Sequence, residues 1–200
     1  MIPCDSKIFS AYVAHNIKVY IGDIISKSQS AFVPGRSIHD NIMLVQQMIH
    51  YYNATNAKAG LLFIDFTAAY DFISQAYIIE VIEQLEFPER FVNVVKMMMK
   101  NQKGRVLVNG DLSPEFEVNN GGKQGDPLFP LIYIIAMEGF NALLRTSTEY
   151  HGLTAPDNST EITHIGYADD TCLPIEDEPE QISALQDILS TFEKGIWESN

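Results

Sequence analysis

The chain is short of positive charge, and the shortage is local. Its 200 residues include 13 Lys/Arg against 26 Asp/Glu, a formal net charge of −13. Residues 126–200 alone hold two basic residues against fourteen acidic ones. A free-standing nucleic-acid binder normally presents a basic face, so any role on nucleic acid must answer that objection. Only two cysteines are present, Cys4 and Cys172, far apart and without metal-ligand spacing, and the five His are scattered. A disulfide framework or a zinc module is therefore not expected, and a reduced, intracellular chain is. The longest apolar stretch, Leu128 to Met137, contains Pro130 and stops at Glu138, too short to span a bilayer. The start, Met1 to Asp5, lacks the basic and apolar regions of a signal peptide. A chain that is not secreted and has no membrane partner is expected.

What is present is a soluble globular composition, 46% apolar and 20% charged, long enough for one domain with a sizeable core. Over residues 6–25, Ile8, Phe9, Tyr12, Val13, Ile17, Tyr20, Ile21 and Ile24 recur at spacings of three and four, predicting a helix with one apolar face. A Pro34-Gly35 loop follows. Ser37 then reads as an N-cap with Asp40 three residues on, opening a helix with Ile38, Ile42, Val45, Ile49 and Tyr52 on one side. Met43 and Met48 on this helix are expected to fill core. Helices are also predicted from Ser74 to about Glu86, from Pro88 to about Gln102, and from about Leu128 to Thr146. A last helix opens at the acidic run around Pro179, where acids complement the helix dipole.

The strands carry the chemistry. Leu61 to Phe66 is a short apolar run entered through Gly60, predicting a buried central strand with Asp65 in it, either a cap just past the strand end or a ligand. Residues 105–111 and 115–118 read as a hairpin turning at Asn109-Gly110. Near the end, Tyr167-Ala168-Asp169-Asp170 lies between two β-like segments, predicting a hairpin with acids at its tip. Two adjacent carboxylates repel each other unless a cation joins them, and carboxylate oxygens are the ligands Mg²⁺ takes. Taken alone, the tetrapeptide fits an Asp-rich surface turn better. If the Asp65 strand and this hairpin are neighbours in one sheet, three carboxylates meet at one end of it, the arrangement used for two-metal phosphoryl or nucleotidyl transfer.

Four stretches decide between these readings: Ser28-Gln29-Ser30-Ala31-Phe32-Val33-Pro34-Gly35-Arg36-Ser37-Ile38-His39-Asp40-Asn41, Phe63-Ile64-Asp65-Phe66-Thr67-Ala68-Ala69-Tyr70-Asp71, Gly122-Lys123-Gln124-Gly125-Asp126-Pro127-Leu128 and Tyr167-Ala168-Asp169-Asp170. In this order and spacing, nearly the whole chain resembles the reverse transcriptase domain of non-LTR (LINE-type) retrotransposons. The resemblance implies an α+β fold: a right-hand palm of antiparallel sheet with helices packed on one face, plus part of the fingers, with no thumb. Residues 1–60 would be the partial fingers and residues 61–200 the palm. It implies Asp65, Asp169 and Asp170 as the catalytic, metal-binding carboxylates for two Mg²⁺ ions, or Mn²⁺ in their place.

The same resemblance implies Tyr70, Gln124 and Gly125 at the nucleotide, Tyr70 lying under the sugar and excluding a 2′-hydroxyl. It implies Arg36, Lys123 and Pro130 at the template and primer. Read as residues only, Tyr70 could equally be a core aromatic and Arg36 a surface loop charge. The partners implied are an RNA template, a DNA primer and dNTPs, with no protein partner indicated.

One departure stands out: where the family usually has Ser before the second Pro of its Gln-Gly loop, this chain has Phe129, a bulky ring expected to hinder template binding. Fingers, thumb and endonuclease segments of the family are expected to be missing from the sequence. The activity expected is RNA-directed DNA polymerisation; the alternative is an inactive, truncated retrotransposon remnant that folds but does not polymerise.

Overall fold

In the computed structural model, which describes residues 3–157 and 160–197, helices and short strands alternate along the chain. Three helices come first, α1 (Cys4–Ile17), α2 (Ile21–Ile24) and α3 (Ile38–Ala54), then β1 (Ala59–Ile64). A one-turn helix α4 (Ala69–Phe72) leads to α5 (Gln75–Gln84) and α6 (Glu89–Met99). Four two-residue strands follow, β2 (Lys103–Gly104), β3 (Leu107–Val108), β4 (Asp111–Leu112) and β5 (Phe116–Glu117). Then come α7 (Phe129–Thr146), β6 (Leu153–Thr154), β7 (Glu161–Ile162), β8 (Ile165–Tyr167), β9 (Asp170–Glu176) and α8 (Pro179–Trp197). Among the described residues no helix is long and apolar enough to cross a membrane.

The caps form where short polar side chains meet free backbone N–H groups. Ser37 accepts a hydrogen bond from His39 N at the start of α3, and Ser74 accepts one from Tyr77 N at the start of α5. The predicted hairpin at residues 105–118 is present but broken. Asn109 and Gly110 take the two positive φ values, 51° and 94°, of a tight β3–β4 turn. Further out β2 pairs with β5, shifted by one residue relative to the inner ladder, as a bulge requires.

The main sheet has the order β1–β9–β8, all antiparallel. Its centre is β9, in which Thr171, Cys172 and Leu173 are buried. The sequence places Leu61–Phe66 as a buried central strand, and this is corrected: β1 is an edge strand, with Leu62 42% and Phe63 68% exposed. A continuous apolar run identifies a strand but not how many neighbours it gains. One face of the sheet joins the large core built on α7, which is buried on nearly every side. The other face meets α3 through a small cluster of Met48, Leu153, Ile165 and Cys172.

Two helix faces also differ from their sequence patterns. On α1 the buried residues are Ser10, Ala14 and Ile17, while Ile8 (70%) and Tyr12 (68%) face outward. The helix packs by its small side, where Ser10 Oγ donates to Asp126 Oδ2 at 3.1 Å. On α3 Met48 is core filling as expected, but Met43 is 57% exposed, and Ile38, Ile42 and Ile49 are exposed too.

Candidate active site

The hairpin β8–β9 turns in two residues, because Tyr167 pairs with Asp170 and leaves only Ala168 and Asp169 between them. Ala168 has a φ of 59°, a left-handed conformation usually given to glycine. On the neighbouring strand Ile64 is paired with Thr171, which brings Asp65 beside Asp170 one position further on. The two β-segments that carry acids are thus adjacent in one sheet, as the sequence suggests.

The three acids do not share one cavity. Asp169 lines a cavity of about 360 Å³ together with Tyr70, Lys123, Gln124, Gly125 and Pro130. Asp65 and Asp170 line a groove of about 530 Å³ between the sheet and α3. Successive residues at a strand start point to opposite faces, which divides Asp169 from Asp170. Among the described residues no carboxylate of the three has a hydrogen-bond donor or a cation beside it, and no three His, Cys, Asp or Glu side chains converge as a metal cage. The donor type nevertheless suits a hard divalent cation: carboxylate oxygens at one end of the sheet with no other partner among the described residues.

The Asp169 cavity is built by the Gln-Gly loop folding over α4. Gly121 has a φ of 66°, and a Cβ there would lie 2.7 Å from the carbonyl oxygens of Tyr70 and Asp71. Its N–H donates to Ile73 O at 2.7 Å, and Gln75 Nε2 donates to Gly121 O at 3.0 Å. This docking holds Lys123, Gln124 and Gly125 out into solvent at the cavity rim. Lys123 is the basic residue of the lining, against Asp71, Asp126 and Asp169, and has no ion-pair partner among the described residues.

Tyr70 is half-buried and stacks on Tyr133, with ring centroids 4.5 Å apart and planes at 28°. Burial, with a smaller contribution from the Asp169 charge, pushes its phenol up to about 12. Burial and then Asp169 push the Tyr133 phenol up as well. Both rings therefore stay neutral, and Tyr70, stacked on buried Tyr133, forms one wall of the cavity beside Asp169.

Phe129 departs from the expectation of hindrance. Its ring is 7% exposed and lies over Gly122, where a Cβ would come within 2.4 Å of it. Turned inward, it separates the Asp169 cavity from a second one of about 460 Å³ beneath α1 and the end of α6.

Arg36 does not line the cavity. Its guanidinium donates to four backbone carbonyls, those of Gly22 (2.8 Å), Ile25 (3.0 Å), Gln29 (2.7 Å) and Ser26, so it clasps its own loop. Two further acids of the cavity, Asp71 and Asp126, carry no role implied by the resemblance. Both stand inside the quoted stretches, so their position was the available signal. Asp126 Oδ1 also accepts from Leu128 N at 2.9 Å, shaping the entry to α7.

An antiparallel sheet with acids at one end, backed by helices and flanked by a glycine loop, is the palm of a right-hand polymerase with part of its fingers. Among solved structures the fold is similar to telomerase from Candida albicans in complex with a TWJ fragment of telomeric RNA (TM-score 0.60, 13% identity, 91% of this chain and 32% of that one). Apo telomerase from Candida tropicalis is similarly related (TM-score 0.61, 10% identity, 95% and 34%). The profile of the family "Reverse transcriptase (RNA-dependent DNA polymerase)" matches residues 1–199, and the chain belongs to that family.

Its relatives include the transposon TX1 uncharacterized 149 kDa protein of Xenopus laevis, 29% identical over 88% of this chain and 13% of the relative. They also include the retrovirus-related Pol polyprotein from type-1 retrotransposable element R2 of Nasonia vitripennis, 25% identical over 88% and 16%. The resemblance to the non-LTR reverse transcriptases is thereby borne out. The chain spans less than a fifth of the length of these curated relatives.

Proposed function

We propose that this chain is the polymerising core of a retrotransposon reverse transcriptase, copying an RNA template by adding dNTPs to a DNA primer. Residues 1–60 contribute part of the fingers and residues 61–200 the palm. The observation that carries the reading is the cavity in which Tyr70, Lys123, Gln124, Gly125, Pro130 and Asp169 meet. In the reaction the primer 3′-oxygen bonds to the α-phosphorus of the dNTP, the bond to the β-phosphate oxygen breaks, and pyrophosphate leaves while the hydroxyl proton is lost. Asp65, Asp169 and Asp170 would hold two Mg²⁺ ions, or Mn²⁺, which when bound neutralise phosphate charge and activate the attacking oxygen. Tyr70, braced on Tyr133, bars a 2′-hydroxyl from the sugar site. Lys123 draws the triphosphate or the template backbone to the rim, and Gln124, Gly125 and Pro130 form the surface on which the base pair rests. Positioning of this kind supplies most of the barrier reduction in phosphoryl transfer.

A second reading, a folded chain that does not polymerise, draws on the separation of Asp169 from Asp65 and Asp170, which share no cavity with it, and on the acidic balance of residues 126–200. Primer extension on an RNA template with Mg²⁺ separates the two. Extension by the unmodified chain that is lost in Asp169→Ala supports the polymerase, and equal activity in both proteins sinks it.

A further inference from the structure

We propose that Gln29, 139 residues away in sequence, is a positioning residue for the turn that carries Asp169, acting through the backbone of Ala168. The role rests on the polymerase reading above, but the contact stands without it. Gln29 is 3% exposed. Its Oε1 accepts from Ala168 N at 3.0 Å and from Ala31 N at 2.9 Å, and its Nε2 donates to Ala168 O at 3.2 Å. A carboxamide carries both a donor and an acceptor in one plane, so it meets the two polar groups of one residue as a neighbouring strand would. The backbone beside it does the same: Ser30 N donates to Gly166 O at 3.0 Å and Gly166 N donates to Ser28 O at 2.9 Å. Gly166 also leaves room for the amide, since a Cβ there would lie 3.1 Å from Gln29 Nε2.

The brace acts where the backbone most needs it. Ala168, at φ 59°, sits in a left-handed region that is unfavourable for any residue but glycine. Asp169 follows it directly. A catalytic group on a turn is held only as accurately as the turn itself. At its other end the brace is anchored in the core. Gln29 O accepts from Arg36, and Ser26 N donates to Oε1 of buried Glu138 on α7 at 2.9 Å. Glu138 is in turn bonded by Asn141 at 2.9 Å and by Arg145 at 3.2 Å. The fingers loop thus transmits the rigidity of α7 to the acid-bearing turn.

Replacing Gln29 should therefore slow the chemical step and leave template-primer affinity alone. Gln29→Met keeps the shape and removes all three side-chain bonds. The milder Gln29→Glu keeps the bonds to Ala168 N and Ala31 N but sets a carboxylate against Ala168 O. The expected result for Gln29→Met is kcat lowered roughly tenfold to a hundredfold, the scale of a 1 Å misplacement. KM for an oligo(dT)–poly(rA) primer-template should stay within about twofold, with a smaller kcat loss in Gln29→Glu. Amide hydrogen exchange at Ala168 should quicken in both. Val92→Ala, in the core of α6, is the control: its thermal destabilisation should leave kcat unchanged. Unchanged exchange at Ala168, or a kcat loss in Val92→Ala matching that of Gln29→Met at equal Tm loss, overturns the role. If the unmodified chain extends no primer, the polymerase reading fails by itself. Exchange at Ala168 then decides the brace alone, faster in Gln29→Met for it and unchanged against it.

Discussion

Cys172 and Leu173 are adjacent on β9, yet they face two different interiors. Leu173 enters the large core of α7, α5 and α8, whereas Cys172 meets only the small cluster under α3. The acids at the strand end divide the same way. Asp169 stands over the α7 side with Tyr70 and Tyr133, and Asp170 stands with Asp65 at the groove along α3. The difference teaches where a site can be rigid: a cavity whose wall, Tyr70, stacks on a buried ring of a thick core holds its geometry, and a groove beside an edge strand yields.

The sharpest way to break this comparison is to exchange the two acids' fates. Asp169→Ala should lower primer extension by two to three orders of magnitude, the cost of losing a preorganised charged group at the reacting centre, and Asp170→Ala by about tenfold or less. A steady-state assay with the order reversed would show that the groove, not the cavity, hosts the chemistry. The packing side follows. Leu173→Ala should cost about 3 kcal/mol by urea denaturation, because it opens a cavity in the thick core, and Cys172→Ala about 1 kcal/mol. Equal losses would mean that the two faces are equally well packed.

Within the cavity, Tyr70→Ala should reduce the preference for dNTP over rNTP by about a hundredfold in kcat/KM, since a steric wall is what it removes. Unchanged selectivity would reduce Tyr70 to a core aromatic.

A pH dependence is expected from the residue that precedes β8. His164 is 1% exposed, its Nδ1 lies 3.0 Å from Thr163 Oγ1, and its Nε2 has no partner among the described residues. Burial, and then the Arg145 charge, lower it from 6.5 to about 4. The unfolded chain therefore binds the proton first as pH falls. The stability from keeping the imidazole neutral is complete above pH 6.5 and is lost progressively down to about pH 4. At pH 5 the loss should be about 2 kcal/mol relative to pH 7, and His164→Gln should flatten it. Parallel pH profiles for the two proteins would exclude His164 as the cause.

Local chemistry made much of the fold legible. Ser37 and Ser74 cap because their hydroxyls reach free N–H groups of the next turn, and Asn109-Gly110 turns because those residues accept positive φ. The site residues Tyr70, Lys123, Gln124, Gly125, Pro130 and Asp169 were named from motif order, and they line one cavity. What failed were statements about neighbours. The apolar stripe of α1 is real as a pattern, but its helix packs by Ser10 and Ala14, and Leu62 and Phe63 lie on an edge strand.

The sequence by itself determined where elements begin and turn and which side chains are acids or bases, because those depend on each residue and the few beside it. Only the tertiary structure decided that Phe129 turns inward, that Arg36 donates to the carbonyls of its own loop, and that Gln29 bonds the turn before Asp169. These depend on contacts between segments far apart in the chain, and no local preference specifies which side chain will be opposite another once the core has closed.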